Sequence, residues 1–147
     1  MTERNAKGFT LIELLIVVAI IGIIAAIAIP NLLNAIDRGK QKRTMADLRS
    51  IGTAVEAYAV DNNNYPVAAD AASLSSSVAP IYIKTMPTKD GWSYTLQVTS
   101  TASSYTLYST GKDGTGSTCT PSTTGLFNDE ICFVLGQFVR YPQGSQK

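Results

Sequence analysis

Two cysteines, a scatter of carboxylates and no histidine bound the chemistry open to this 147-residue chain. Neither Ser-His nor Cys-His catalysis can be built from these side chains, and imidazole metal ligands are excluded. No Gly-rich phosphate loop ending in Lys-Ser or Lys-Thr is present, and no enzymatic activity is expected. The informative carboxylates occupy three settings. Glu13 stands alone in an apolar run, Asp113 lies in Ser109-Thr110-Gly111-Lys112-Asp113-Gly114, and Asp129 lies in Asn128-Asp129-Glu130-Ile131. Asp113-Gly114 is by itself a favoured hairpin turn. Cys119 and Cys132 read either as one bridge or as two buried thiols.

Glu13 is the only charge between Phe9 and Ile29. As a helix this run is about 31 Å long and matches a hydrocarbon core of about 30 Å. A carboxylate costs about 2.5–3.5 kcal/mol at bilayer centre and less near the interface. The helix dipole favours a negative charge at its N-terminus. Pro30 removes a backbone donor and clashes with the carbonyl of Ala26, so it is expected to kink or loosen the helix without ending it. Gly22 is a second soft point. A transmembrane kink without function accounts for both residues equally well.

Ahead of the run stands a polar leader, Met1–Gly8, with Arg4 and Lys7. The register Lys7-Gly8-Phe9-Thr10-Leu11-Ile12-Glu13 resembles the N-terminus of type IV pilins and type II secretion pseudopilins. The resemblance implies cleavage by a prepilin peptidase between Gly8 and Phe9, and N-methylation of Phe9. It implies that Glu13 pairs with the free amine of a neighbouring subunit during assembly. It also gives Gly22 and Pro30 meaning, since in assembled filaments of the family the helix is often melted between the corresponding residues. Two plainer readings compete. One is an ordinary signal peptide cut after Ala26-Ile27-Ala28, and the other is a simple membrane anchor. A naive count of Arg4 and Lys7 against Arg38, Lys40, Lys42 and Arg43 favours the reverse orientation or none. The orientation with leader inside and C-terminus outside rests on the resemblance.

Beyond Pro30, Met45, Leu48, Ile51, Val55 and Tyr58 form one stripe at steps of three and four. Arg43, Asp47, Arg49 and Glu56 are placed on the opposite face. Residues 37–43 are polar all round, which suits a solvent-exposed or subunit-facing portion. Asp61-Asn62-Asn63-Asn64 is expected to end the helix, and Tyr65-Pro66 to begin an extended segment. Ser73–Ser77 and Thr99–Ser104 read as loop or strand-edge material. Tyr94, Leu96 and Val98 alternate with polar residues, as do Tyr105 and Leu107, which predicts a hairpin.

A second resemblance lies in the C-terminal half. Tyr82-Ile83-Lys84-Thr85-Met86-Pro87, then Asp90-Gly91-Trp92-Ser93-Tyr94, looks like the region after the long helix in major pseudopilins. Gly91 stands where that family commonly has proline, and Ser93 where it commonly has glycine. The resemblance implies one Ca2+ held by the Asp113 loop and the downstream acidic cluster. Asp113 and Asp129 would be its carboxylate ligands, and the carbonyls of Leu107 and Ser109 weaker ones. The cysteines depart from major pseudopilins and resemble the disulfide-bounded C-terminal loop of type IV pilins. In an oxidising compartment they are expected to form one disulfide.

The expectation is an α+β, pilin-like fold with four regions. Residues 1–8 are a cleaved leader, 9–30 a transmembrane and filament-core helix, 31–60 its amphipathic second half, and 61–147 a globular head whose sheet is small and antiparallel. The resemblance implies a structural subunit of a helical filament, either a type II secretion pseudopilus or a type IV pilus. A monomeric membrane-anchored calcium-binding protein is a third reading. The expected partners are other copies of the chain, the prepilin peptidase, an inner-membrane assembly platform, minor pilins or pseudopilins, and the membrane before assembly. The net charge of +1 gives no strong field to gather nucleic acid. The implied location is the bacterial inner membrane as precursor, then a periplasmic or cell-surface filament.

Overall fold

A computed structural model describes residues 8–116 and 119–143. Arg4, Lys7 and the rest of the leader ahead of Gly8 lie outside the described residues. Helix α1 runs Leu11–Asn62 and contains Pro30 without interruption. Pro30 therefore does not break the helix in the single chain. The chain divides into two units, Met1–Ala35 and Ile36–Lys147.

In the first unit the described residues form the apolar part of α1. The large apolar side chains from Phe9 to Leu33 are exposed, from 44% at Val17 to 76% at Leu11. Each would gain about 1.5–3 kcal/mol on leaving water. A helix apolar on all sides belongs in lipid or among other helices. Among the described residues, α1 alone is long and apolar enough to cross a membrane.

The second unit is built on the rest of α1. Leu48, Ile51 and Val55 are fully buried, with Met45 and Tyr58 packed beside them, as the stripe predicts. Gly52 lies beneath the Phe133 ring, where a Cβ would collide with it. Asn63 ends the helix in left-handed geometry (φ 58°). Ala68 then bridges to Ser100.

Ser73–Ser77 is helical, not loop or strand edge: α2 spans Ala71–Val78. Asp70 caps it, accepting from Ser73 N at 2.7 Å, while Ser73 Oγ accepts from Asp70 N at 3.2 Å. Such a cap is worth about 1 kcal/mol. Ala71, Leu74 and Val78 enter the core together. That burial outweighs the preference of serine for loops.

Strands β1 (Gln97–Thr101) and β2 (Ser104–Ser109) form the expected hairpin, with Val98 opposite Leu107. Strands β3 (Ser122–Thr124), β4 (Ile131–Val134) and β5 (Gln137–Pro142) complete a sheet of order β1-β2-β4-β5-β3. Four strands are antiparallel in sequence, but β3 joins β5 in parallel. The sheet is thus mixed rather than purely antiparallel. The long connection after β2 lets the chain reach the far edge of β5 before it returns as β4, which a tight hairpin would not allow.

Candidate functional site

At the N-terminus, Thr10 immediately precedes α1 and Glu13 is the third residue inside it. Glu13 Oε2 accepts from Thr10 N at 2.9 Å and from Thr10 Oγ1 at 2.7 Å. Glu13 N donates back to Thr10 Oγ1 at 3.3 Å. This is a reciprocal capping box. It satisfies donors that open the helix, and it gives the lone carboxylate partners within its own chain. Thr-x-x-Glu before an apolar run signals this box in sequence. Gly8 and Phe9 precede it as an exposed, non-helical pair.

A second polar constellation holds α1 to the head loops. Residues 37–43, expected to face solvent or another subunit, are partly buried: Asp37 and Gln41 are only 6% and 4% exposed. Asp37 Oδ1 accepts from the Trp92 indole at 3.1 Å, and Oδ2 from Lys112 Nζ at 2.8 Å. Burial pushes the Asp37 carboxyl up, but the Lys112 and Trp92 hydrogen bonds and the Lys112 and Lys40 charges outweigh it and hold the carboxyl below its ordinary value. Two turns on, Thr44 Oγ1 accepts from Gly91 N at 2.9 Å and donates to Lys40 O at 3.0 Å. A Cβ at Gly91 would collide with Lys40 O, so this contact demands glycine. Neither glycine nor proline at this position follows from local turn chemistry alone.

Asp90 folds its own loop. Its Oδ1 accepts from Trp92 N and Tyr94 N, both at 2.9 Å, and its Oδ2 from Ser109 Oγ at 2.7 Å. Ser93 takes a left-handed conformation (φ 74°), a backbone that favours glycine. Glu56, assigned to the polar face, is turned inward. It accepts from Tyr105 Oη at 2.9 Å and Tyr65 Oη at 3.3 Å. Burial and the Glu56 carboxylate push the Tyr105 phenol far up, so it stays a donor.

The C-terminal loop carries the remaining residues singled out in the sequence. Cys119 and Cys132 form a disulfide whose partners lie 13 residues apart. Asp113 is exposed, and its Oδ1 accepts from Thr115 N at 3.0 Å. Asp129 Oδ2 accepts from Leu126 N at 3.3 Å. Leu107 is inside β2, opposite Val98 and Phe133. Ser109 acts through its hydroxyl, donating to Asp90 and accepting from Gly111 N at 3.2 Å. Among the described residues, no group of three or more His, Cys, Asp or Glu side chains is placed to share a metal ion. Arg140 of β5, which no sequence motif singled out, sits 3.0 Å from Glu130 and 3.6 Å from Asp129.

Comparison with known proteins agrees with both ends of the molecule. Residues 4–29 match the prokaryotic N-terminal methylation motif, and residues 31–123 match the type II secretion system protein G family. The type II secretion system core protein G of Aeromonas hydrophila is 31% identical over 131 aligned residues, covering 80% of this chain and 91% of the relative. That of Escherichia coli K12 is 31% identical over 121, covering 74% and 83%. The type IV wide pilus major component PilA4 of Thermus thermophilus is 56% identical over 62 residues, covering 42% of this chain and 47% of that protein. No solved structure gives a significant match. With an apolar N-terminal helix, a pilin-like α+β head and a family match across residues 31–123, this chain belongs to the type II secretion system protein G family.

Proposed function

We propose that the chain is the major structural subunit of a type II secretion pseudopilus. A prepilin peptidase cuts it between Gly8 and Phe9, and Phe9 is then N-methylated. The observation that carries this reading is the apolar half of α1. Its large side chains are exposed, so lipid covers them first and neighbouring helices afterwards. Head-to-tail stacking of such helices continues without closing and yields a filament. The assembly platform in the inner membrane and minor pseudopilins are the further partners of this reading, and the periplasm is its destination.

The capping box adds a step. In the membrane Thr10 satisfies the Glu13 carboxylate, which lowers the cost of holding it in lipid. On assembly the amine of Phe9 from an adjacent subunit replaces Thr10 and adds an opposite charge. Glu13 is then exchanged between partners and never left bare.

The Cys119–Cys132 disulfide favours a second reading, the major subunit of a type IV pilus. Intact-mass analysis of membrane material combined with electron microscopy of cells tests both. A mature chain starting at N-methyl-Phe9, in short fibres that appear on overproduction, supports the pseudopilus. The same mature chain in micrometre surface fibres supports the pilus. A mature N-terminus at Ile29 overturns both.

A further inference from the structure

We infer that Arg140 supplies the resident cation beside Asp129 and Glu130, the acidic cluster to which the family resemblance assigns calcium. Its Nη1 lies 3.0 Å from Glu130 Oε2, and its Nη2 3.6 Å from Asp129 Oδ1. The three side chains are only 17%, 12% and 27% exposed. Pairs shielded to this degree are screened less than surface pairs. The guanidinium is planar and forked, and its in-plane N–H groups can serve two carboxylates.

The anchor points are rigid. Arg140 stands in register with Cys132 on β4 and with Ser122 on β3. Asp129 and Glu130 immediately precede β4, and Cys132 carries the disulfide. The guanidinium and the disulfide therefore hold the same short piece of chain from two sides. Gly111 (φ +79°) packs against the Asn128 and Asp129 carbonyls, and Gly116 against the Glu130 side chain, so the loop closes tightly over this cluster.

Among the described residues, the donors are not arranged for a calcium shell. Calcium takes six to eight oxygens. Asp113 and Asp129 each spend one carboxylate oxygen on a nearby backbone amide. The other Asp129 oxygen faces Arg140. A dication entering beside Asp129 would meet the positive charge of the Arg140 guanidinium. The loop should therefore be closed whether or not calcium is present. This inference does not depend on which filament the chain builds.

Thermal unfolding of the full mature chain in detergent micelles, followed by near-UV circular dichroism, tests it. The wild type is expected to melt at the same temperature in millimolar calcium, magnesium or chelator. Arg140→Gln is expected to lower Tm by about 5 °C or more, and Asp113→Ala to leave both Tm and its indifference to calcium unchanged. A wild-type Tm that falls with chelator and is restored by calcium but not magnesium overturns the inference, as does an unchanged Tm in Arg140→Gln. If Arg140→Gln does not fold, the double change Asp129→Asn with Glu130→Gln replaces it, since it keeps the arginine and removes both acids. A lowered Tm there, still indifferent to calcium, supports the inference, and an unchanged Tm overturns it.

Discussion

The two halves of α1 share one backbone geometry and have opposite fates. From Leu11 to Leu33 the helix is apolar on every side, and its large side chains are exposed. From Ile36 to Asn62 it buries Leu48, Ile51 and Val55 in a core and uses Asp37, Thr44 and Glu56 as hydrogen-bond partners for head residues far along the chain. The difference lies in where each half finds its partners. The second half finds them within its own chain. Among the described residues the first pairs Glu13 with Thr10 and leaves its large apolar side chains exposed. A helix can thus be completed by its fold at one end and left for assembly to complete at the other.

Changing one carboxylate in the first half gives the largest expected effect. Glu13→Ala is expected to leave processing and membrane insertion intact while reducing sedimentable filaments at least tenfold. Quantitative immunoblotting of sheared and membrane fractions reads this, and wild-type filament yield would erase the functional contrast between the halves. Core truncation in the second half follows. Leu48→Ala is expected to cost the head about 2–5 kcal/mol. Ile20→Ala, in the exposed half, is expected to leave head unfolding unchanged in denaturant titrations of the detergent-solubilised chain. Equal losses in the two variants would mean that the halves are not energetically distinct.

Smaller effects sharpen how the head is held. Cys132→Ser is expected to lower head stability by about 3 kcal/mol, as the chain-entropy model gives for a loop of this size. Non-reducing peptide mapping of the wild type is expected to show the Cys119–Cys132 pair, and free thiols on both would refute it. Asp37→Asn keeps the side-chain shape but loses the charge opposite Lys112. Since Lys112 is half exposed, a loss of about 1 kcal/mol is expected at neutral pH. The pH dependence has a definite sign. The folded carboxyl titrates below its ordinary value of 3.8, so its contribution is complete above 3.8 and is lost as pH falls from there through the lower folded value. Tm of the wild type is therefore expected to converge on that of Asp37→Asn in acid. A constant gap between them down to acid pH would show that the ion pair is not the cause.

Much of the molecule was legible because its signals are local. The apolar run, the Glu13 register, the stripe from Met45 to Tyr58 and the alternation around Val98 and Leu107 each depend on period and neighbouring residues only. The Asp70 cap and the Thr10–Glu13 box are equally local, and the first was obscured by a serine-rich stretch that looks like loop. Asp37, Glu56 and Arg140 were not legible in their roles. Each has the polarity of a surface residue, and each acquires its role from a partner that sequence separation hides. Asp37 meets Lys112 across 75 residues, and Glu56 meets Tyr105 across 49.

The sequence alone therefore determined that this chain has a membrane-length helix with one carboxylate at its head, an amphipathic continuation and a small β-containing domain, because hydrophobic periodicity and capping act over a few residues. The tertiary structure decided which polar side chains are buried, that β3 joins β5 in parallel, and that Arg140 faces Asp129 and Glu130. These are pairings across the sheet and between distant loops. Their energies depend on distance and burial in three dimensions, and nothing in the local order of residues encodes either.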